Sequence, residues 1–345
     1  MSHEVDTMVS YRNIIPWHGL GNVFDVPPTS WEQFRVDAGL TWEPTEAPMY
    51  RRVRIGDEVM YDVVDRFKLV ERSDTGYVLS PTNRKYPLIT HEMMGQVMDK
   101  LMTGQNDHRE AVAFETGGSL RNGEMVFAVA RLGDPLELKG DPSPINRYMT
   151  LVNDHTASGA FKAMGNTIRV VCANTANAAE VEATASNCTF VFRHTTNWEA
   201  QVDKALDAVN GTYRDMDKFV ETARRMLSLK LTEQDMTDLV NEFAMEVTLD
   251  SINLKRPDLA EYLATSKRVE ASLRTTKDAL IAIRNSETCE GLDRTPWLFF
   301  NMVTQQRGAR PSKGDSSRFS RSMIEVDKFK KMAFQMAMAK ATTNA

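Results

Sequence analysis

Apolar residues along this 345-residue chain recur with two different periods. Up to about residue 196 they alternate with polar residues in short runs, the pattern of strands. Beyond it they return every third or fourth position, the pattern of helices. Residues 1–50 interrupt both patterns with Pro16, Pro27, Pro28, Pro44 and Pro48, which remove backbone donors and stop helices. One short helix fits at Thr29–Ala38. Thr29 or Ser30 can cap it, and Trp31, Phe34 and Ala38 share a face. Trp17, Trp31 and Trp42 are expected to pin this segment to the body.

Arg51–Ile55, Val59–Phe67 and Tyr77–Ser80 read as strands, with turn chemistry at Gly56-Asp57 and Asp74-Thr75-Gly76. A helix is expected over His91–Met102 with Thr90 as cap. Its stripe of Met93, Met94, Val97, Met98, Leu101 and Met102 reads as core packing. Ala111–Glu115 and Glu124–Arg131 read as a hairpin around a loop at Thr116–Gly123, where Asn122-Gly123 is a turn signal. Met149–Val152, Gly159–Phe161, Ile168–Val171 and Cys188–His194 are further short strands.

Helical spacing then links Val202 to Leu227, with Gly211 as a weak point. Thr232 caps a helix through Val247, and Leu259–Leu263, Val269–Arg284, Trp297–Gln305 and Val326–Ala341 follow. This segregation predicts an α+β fold, with an antiparallel, curved sheet first and a mainly helical region after it. Four parts are expected: a Pro/Trp-rich segment over 1–50, a sheet domain over 51–196, a helical region over 197–306 and a basic segment over 307–345.

Composition adds little to that picture until charge is located. Apolar residues are 42% and charged residues 26%, as in globular proteins. No apolar run approaches the roughly 18 residues of a membrane helix, and no secretory leader is visible, so a cytoplasmic protein is expected. The net charge of -5 hides an asymmetry. Residues 307–340 carry nine basic and three acidic side chains, a surplus of six positive charges over an otherwise acidic chain.

Catalytic signatures are scarce. Gly19-Leu20-Gly21 lacks the third glycine and the preceding strand of a dinucleotide fingerprint, and no Walker, zinc-protease or nucleophile-elbow motif occurs. Cys172, Cys188 and Cys289 form no Cys-x-x-Cys pair and read as ordinary thiols. No metal or cofactor is expected, and the balance leans against an enzyme. One exception is a possible polar site around Asp154, His155, Asn174 and His194. There Asp154 can orient an imidazole, or can simply close a turn through Asn153–Thr156.

The strand region suggests different chemistry. Arg51, Arg52, Arg54, Arg66, Lys68, Arg84 and Lys85 are candidates for phosphate contacts, and Tyr61, Phe67 and Tyr86 for base stacking. Lys328, Lys330 and Lys331 would add an electrostatic arm. Asp57, Glu58, Asp62, Asp65, Glu71 and Asp74 interleave with the basic positions, so a balanced, solvated sheet face competes with that reading.

Six segments occur in order: Pro16-Trp17-His18-Gly19-Leu20-Gly21, Ala38-Gly39-Leu40-Thr41-Trp42, Arg72-Ser73-Asp74-Thr75-Gly76, Glu115-Thr116-Gly117-Gly118-Ser119-Leu120, Asn153-Asp154-His155-Thr156-Ala157-Ser158 and Arg169-Val170-Val171-Cys172-Ala173-Asn174-Thr175. As a set they resemble the phage/plasmid-like protein family, a laterally transferred family of unknown function in phages, plasmids and bacteria. Trp297–Gln305 is similar to its C-terminal block. The resemblance implies a mobile-element setting inside a bacterial host. By fold-level analogy, phage single-strand annealing proteins are similar in broad outline, with a curved sheet, packed helices and ring or filament assembly. The leading expectation is an oligomeric protein that binds single-stranded DNA in replication or recombination. The alternatives are a small-ligand protein or enzyme using the polar cluster, and a phage protein that binds and inhibits a host factor.

Overall fold

The structure is a computed structural model that describes residues 5–12, 21–103, 112–157, 159–169, 174–177, 189–192, 214, 217–252, 258–308 and 327–343. It is an α+β fold, with antiparallel sheets in the N-terminal part and helices in the C-terminal part. The larger sheet contains β1 (Val5–Tyr11), β2 (Asn22–Phe24), β6 (Val112–Leu120), β7 (Met125–Leu132), β8 (Ile145–Asp154), β9 (Phe161–Arg169), β10 (Asn174–Asn177) and β11 (Thr189–Phe192). Its order is β10-β9-β8-β7-β6-β1-β2, with β11 also beside β9. Only the β1–β2 pair is parallel among these strands. The N-terminal segment therefore does more than pack on the body, since β1 is a strand of the sheet and pairs with β6.

Helix α1 (Trp31–Asp37) and helix α2 (His91–Met102) cover one face of this sheet. Ser30 caps the first and Thr90 the second through their side-chain oxygens. Phe34 stacks on Phe114 with ring centroids 4.3 Å apart. Met94, Val97, Met98 and Leu101 bury the methionine stripe against Val126, Ala128 and Leu151. Gly95 is the point of closest approach, because a Cβ there would lie 2.2 Å from Cδ1 of Trp31. Gly95→Ala should lower stability by about 1–3 kcal/mol, read as a fall in the thermal unfolding midpoint.

The β6–β7 hairpin differs from its expected form. Residues Thr116–Leu120 are strand rather than loop, and the turn is confined to Arg121–Gly123. Glycine in the strand interior marks close approach, since a Cβ on Gly117 would meet the Phe34 ring at 2.3 Å. The Asn122-Gly123 signal is placed where it was expected, with both residues at positive φ.

The helical part holds a helix over 217–228 (α3), α4 (Glu233–Asp250), α5 (Leu259–Thr265), α6 (Lys267–Arg284), α7 (Pro296–Gly308) and α8 (Lys328–Thr343). A capping box joins Thr232 and Asp235 at the start of α4. The first part of the helix expected from Val202, with Gly211, lies outside the described residues. Helix α7 carries apolar residues around its first two turns rather than on one stripe, and it is buried along most of its length, as such a helix must be. It packs with α3, α4 and α8, and the same cluster takes in Leu138 and Ile145 from the sheet region. No helix among the described residues is long and apolar enough to cross a membrane.

Candidate nucleic-acid interface

The smaller sheet has the order β3-β4-β5, from β3 (Pro44–Ile55), β4 (Glu58–Arg72) and β5 (Val78–Asn83). Strand β5 pairs with β4 only over Phe67–Glu71. The outer part of β3 and β4, with its turn at Gly56-Asp57, is therefore a two-stranded arm. Its residues are almost all exposed. Gly56 sits at φ 62 in that turn, a conformation glycine adopts without steric cost.

Cross-strand register assigns the faces of the arm. Tyr50 pairs with Val63, Arg52 with Tyr61 and Arg54 with Val59, so these six residues share one face, and none is acidic. Tyr61 is 71% exposed and Tyr50 55%, a large aromatic area for water to contact. The opposite face carries the pairs Arg51–Asp62, Val53–Met60 and Ile55–Glu58. There Arg51 is neutralised by a 2.9 Å contact with Asp62. Arg54 turns its Nε to the Gly56 carbonyl at 3.2 Å and approaches Asp57 at 3.8 Å. Among the described residues no hydrogen bond or ion pair engages the side chains of Arg52, Arg66 or Lys85.

At the root of the arm the register shifts between Pro48 and Tyr50, so Val64–Phe67 are inserted into β4. The bulge opens a cleft of about 240 Å³ lined by Glu46, Ala47, Pro48, Val63, Phe67, Lys68 and Arg84. Phe67 is 42% exposed there. Arg84 pairs with Asp65 at 3.1 Å, an exposed contact that a stronger anion can displace.

Lys68 lines the base of this cleft but is not a free cation, which narrows the sequence expectation. It lies inward of the bulge, is buried, and donates to Glu46 and to the Tyr86 carbonyl. Tyr86 is also drawn inward. Burial and the nearby Asp154 push its hydroxyl up to about 12. In the sequence Arg66 and Lys68 read together as phosphate contacts, but the bulge and the arrival of β5 place them in different surroundings.

The basic C-terminal segment also changes character. Arg307 is buried and pairs with Asp327 at 2.7 Å. Burial alone would raise the Asp327 carboxyl, but Arg307 and the Phe329 amide hold it below its ordinary value. Lys328 pairs with Asp250 of α4, and Lys340 with Asp235 at 2.8 Å. Lys330 is buried and Lys331 half-buried. Of the three lysines expected to form an electrostatic arm, Lys328 thus faces a carboxylate of acidic α4 and Lys330 is buried, while Lys331 has no ion pair among the described residues. Residues 309–326 of that segment lie outside the described residues.

The proposed polar site is not assembled either. Asp154 ends β8 opposite Met125, whereas Asn174 pairs with Arg169, itself opposite Ile145 at the other end of β8. About nine residues of strand, roughly 30 Å, separate those ends. Asp154 Oδ1 accepts from the Thr156 amide at 3.0 Å and hydroxyl at 2.7 Å, which closes a turn. His155 has no exposed surface and packs near Trp42 and His91. His194 lies outside the described residues. Among the described residues no group of three His, Cys, Asp or Glu side chains is placed to hold a metal ion.

A family model described as a domain of unknown function (DUF932) matches residues 78–323. The chain belongs to the DUF932 family. The match begins at Val78, the first residue of β5. The DUF932 segment thus takes in the large sheet from β6 onward and helices through α7, while the arm precedes it. No curated protein and no solved structure matches the chain. Sequence reasoning counted Tyr50 among the aromatics near the basic positions but missed Val59 and Val63 as partners on the arm face. The signal was available in the alternation on either side of Gly56-Asp57, which fixes the register once the turn is taken as a two-residue hairpin.

Proposed function

We propose that this protein binds single-stranded DNA through the outer face of the β3–β4 arm and the cleft at its root. On this reading it serves replication or recombination of a mobile genetic element in a bacterial cytoplasm, and assists strand annealing. The observation that carries the reading is the Arg52–Tyr61 rung: an unengaged guanidinium directly opposite an exposed aromatic ring. Guanidinium groups track phosphates, and exposed rings stack on bases that are free of a duplex. Arg54, Arg66, Arg84 and Lys85 extend the cationic path, and Phe67 offers a second ring in the cleft.

Fluorescence anisotropy with a labelled oligonucleotide at low salt tests the reading. Wild-type protein should bind with micromolar affinity or better, and should prefer the single strand to a duplex of the same sequence. Arg52→Ala with Tyr61→Ala should weaken binding at least about tenfold, since one stacked base alone is worth about 1–3 kcal/mol. Both side chains are exposed, so the unfolding midpoint should not move. Arg52→Ala should also reduce the salt slope by about 0.7. Absence of binding at micromolar protein ends the proposal.

A further inference from the structure

The outer arm leaves two strand edges open. Among the described residues, no strand pairs with the free side of β3, and none pairs with the free side of β4 beyond Phe67. Proteins ordinarily blunt or cover such edges, because their unpaired backbone groups accept another strand. Here the two edges carry opposite charge. Between Tyr50 and Ile55, β3 has Arg51, Arg52 and Arg54 and no acid. Between Glu58 and Arg66, β4 has Glu58, Asp62 and Asp65 against the single Arg66.

We propose that copies of this chain assemble arm to arm, with the β3 edge of one copy pairing with the β4 edge of the next. Joining two β3 edges would set arginines against arginines, and like charges directly opposite destabilise a sheet. Joining β3 to β4 sets Arg51 of one copy beside Asp62 of the next, repeating the rung already present within each arm. Strand β3 runs toward the tip and β4 runs back, so arms that point the same way pair antiparallel. Such a contact is head-to-tail and leaves one β3 edge and one β4 edge free, so it propagates until it closes. Two added strands advance the sheet by only about 10 Å. A compact 345-residue chain has a radius of gyration of roughly 20 Å, so bodies cannot stand in a row at that spacing. The arms must converge and the bodies must spread around them, as a ring where the rotation between copies closes and as a helical array where it does not.

Arm-to-arm assembly of this kind needs no DNA. Arg51 and Asp62 lie on the arm face opposite to Arg52 and Tyr61. Light scattering after size exclusion, on the full chain without nucleic acid at tens of micromolar, provides the test. Wild-type protein should form an oligomer, discrete where the ring closes. Arg51→Glu and Asp62→Arg should each weaken self-association at least about tenfold. These side chains are exposed, and unchanged far-UV circular dichroism and unfolding midpoints will confirm that each variant folds. Equimolar mixing of the two variants should restore assembly, because each substituted β3 then meets a substituted β4 while the mismatch inside each arm persists. A monomeric wild-type chain, an oligomer indifferent to both substitutions, or a mixture that stays dissociated would each overturn the proposal. Loss of oligonucleotide binding by Arg52→Ala with assembly intact, or the reverse, separates this proposal from the DNA-binding reading.

Discussion

A chain ending at residue 326 is expected to lose the cooperative unfolding of its helical part and to aggregate. Helix α8 is a wall of that core. Phe329, Ala333, Phe334 and Ala337 are all buried in the cluster built around α7. Phe334 stacks on Phe219 of α3 at 6.0 Å and meets Phe300 of α7 edge-on at 5.3 Å. Removing α8 exposes these rings and leaves Asp235 and Asp250 without their lysines. The single substitution Phe334→Ala should cost about 3–5 kcal/mol, a large share of the roughly 5–15 kcal/mol of a typical domain. Urea unfolding followed by tryptophan fluorescence will read it, since Trp297 sits in the same aromatic cluster. Lys328→Ala, on an exposed contact, should barely move the transition. If truncation leaves the full-length transition in place, α8 is a detachable arm and the electrostatic role expected from its composition returns.

That contrast shows what the sequence made legible. Periodicity located α2, α4, α6, α7 and the capping by Thr90 and Thr232, because burial of one face and satisfaction of the first amides are local requirements. It separated strands from helices for the same reason. It did not locate β1, whose partner β6 is more than a hundred residues away, nor the extension of β6 through Gly117 and Gly118. Glycines looked like loop, and only their neighbours explain them as strand, the Phe34 ring beside Gly117 and the Thr7–Met8 backbone of β1 beside Gly118. For the candidate interface, the basic and aromatic residues of the arm were visible as residue types. Which of them share a face depends on the register, and which stay exposed depends on where β5 joins and where β4 bulges. Lys68 and Tyr86 were drawn inward by those tertiary facts. The charge of α8 was correctly counted, but its partners on α4 are about eighty to a hundred residues distant in sequence, and no local pattern reveals them.

The pH dependence of stability should centre on His91. Its ring has no exposed surface, lies edge-on to Trp42 at 4.3 Å, and faces the Leu40 carbonyl through Nδ1 at 3.4 Å. Burial, with Arg35 and Arg72 nearby, pushes the imidazole down to about 3 despite the carbonyl contacts that favour its charge. The folded ring is therefore neutral where an unfolded histidine, near 6.5, starts to take up a proton. The unfolded state binds more protons between those values, so this stabilising contribution is complete above about pH 6.5 and is lost as pH falls toward 3. From pH 7 to 5 the loss is roughly 2 kcal/mol, the slope approaching 1.36 kcal/mol per pH unit only below the unfolded value. Glu43 acts in the opposite sense. It accepts the His91 amide at 2.7 Å, but burial raises its carboxyl above the ordinary value, so its protonation in the fold offsets part of the loss at lower pH. His91→Phe keeps an aromatic ring against Trp42 and removes the titrating group. Chemical unfolding of both proteins at pH 7, 6 and 5 should give a steep fall for wild type and a much flatter one for the variant, whatever the variant's stability at pH 7. Parallel slopes would assign the acid sensitivity to other buried groups.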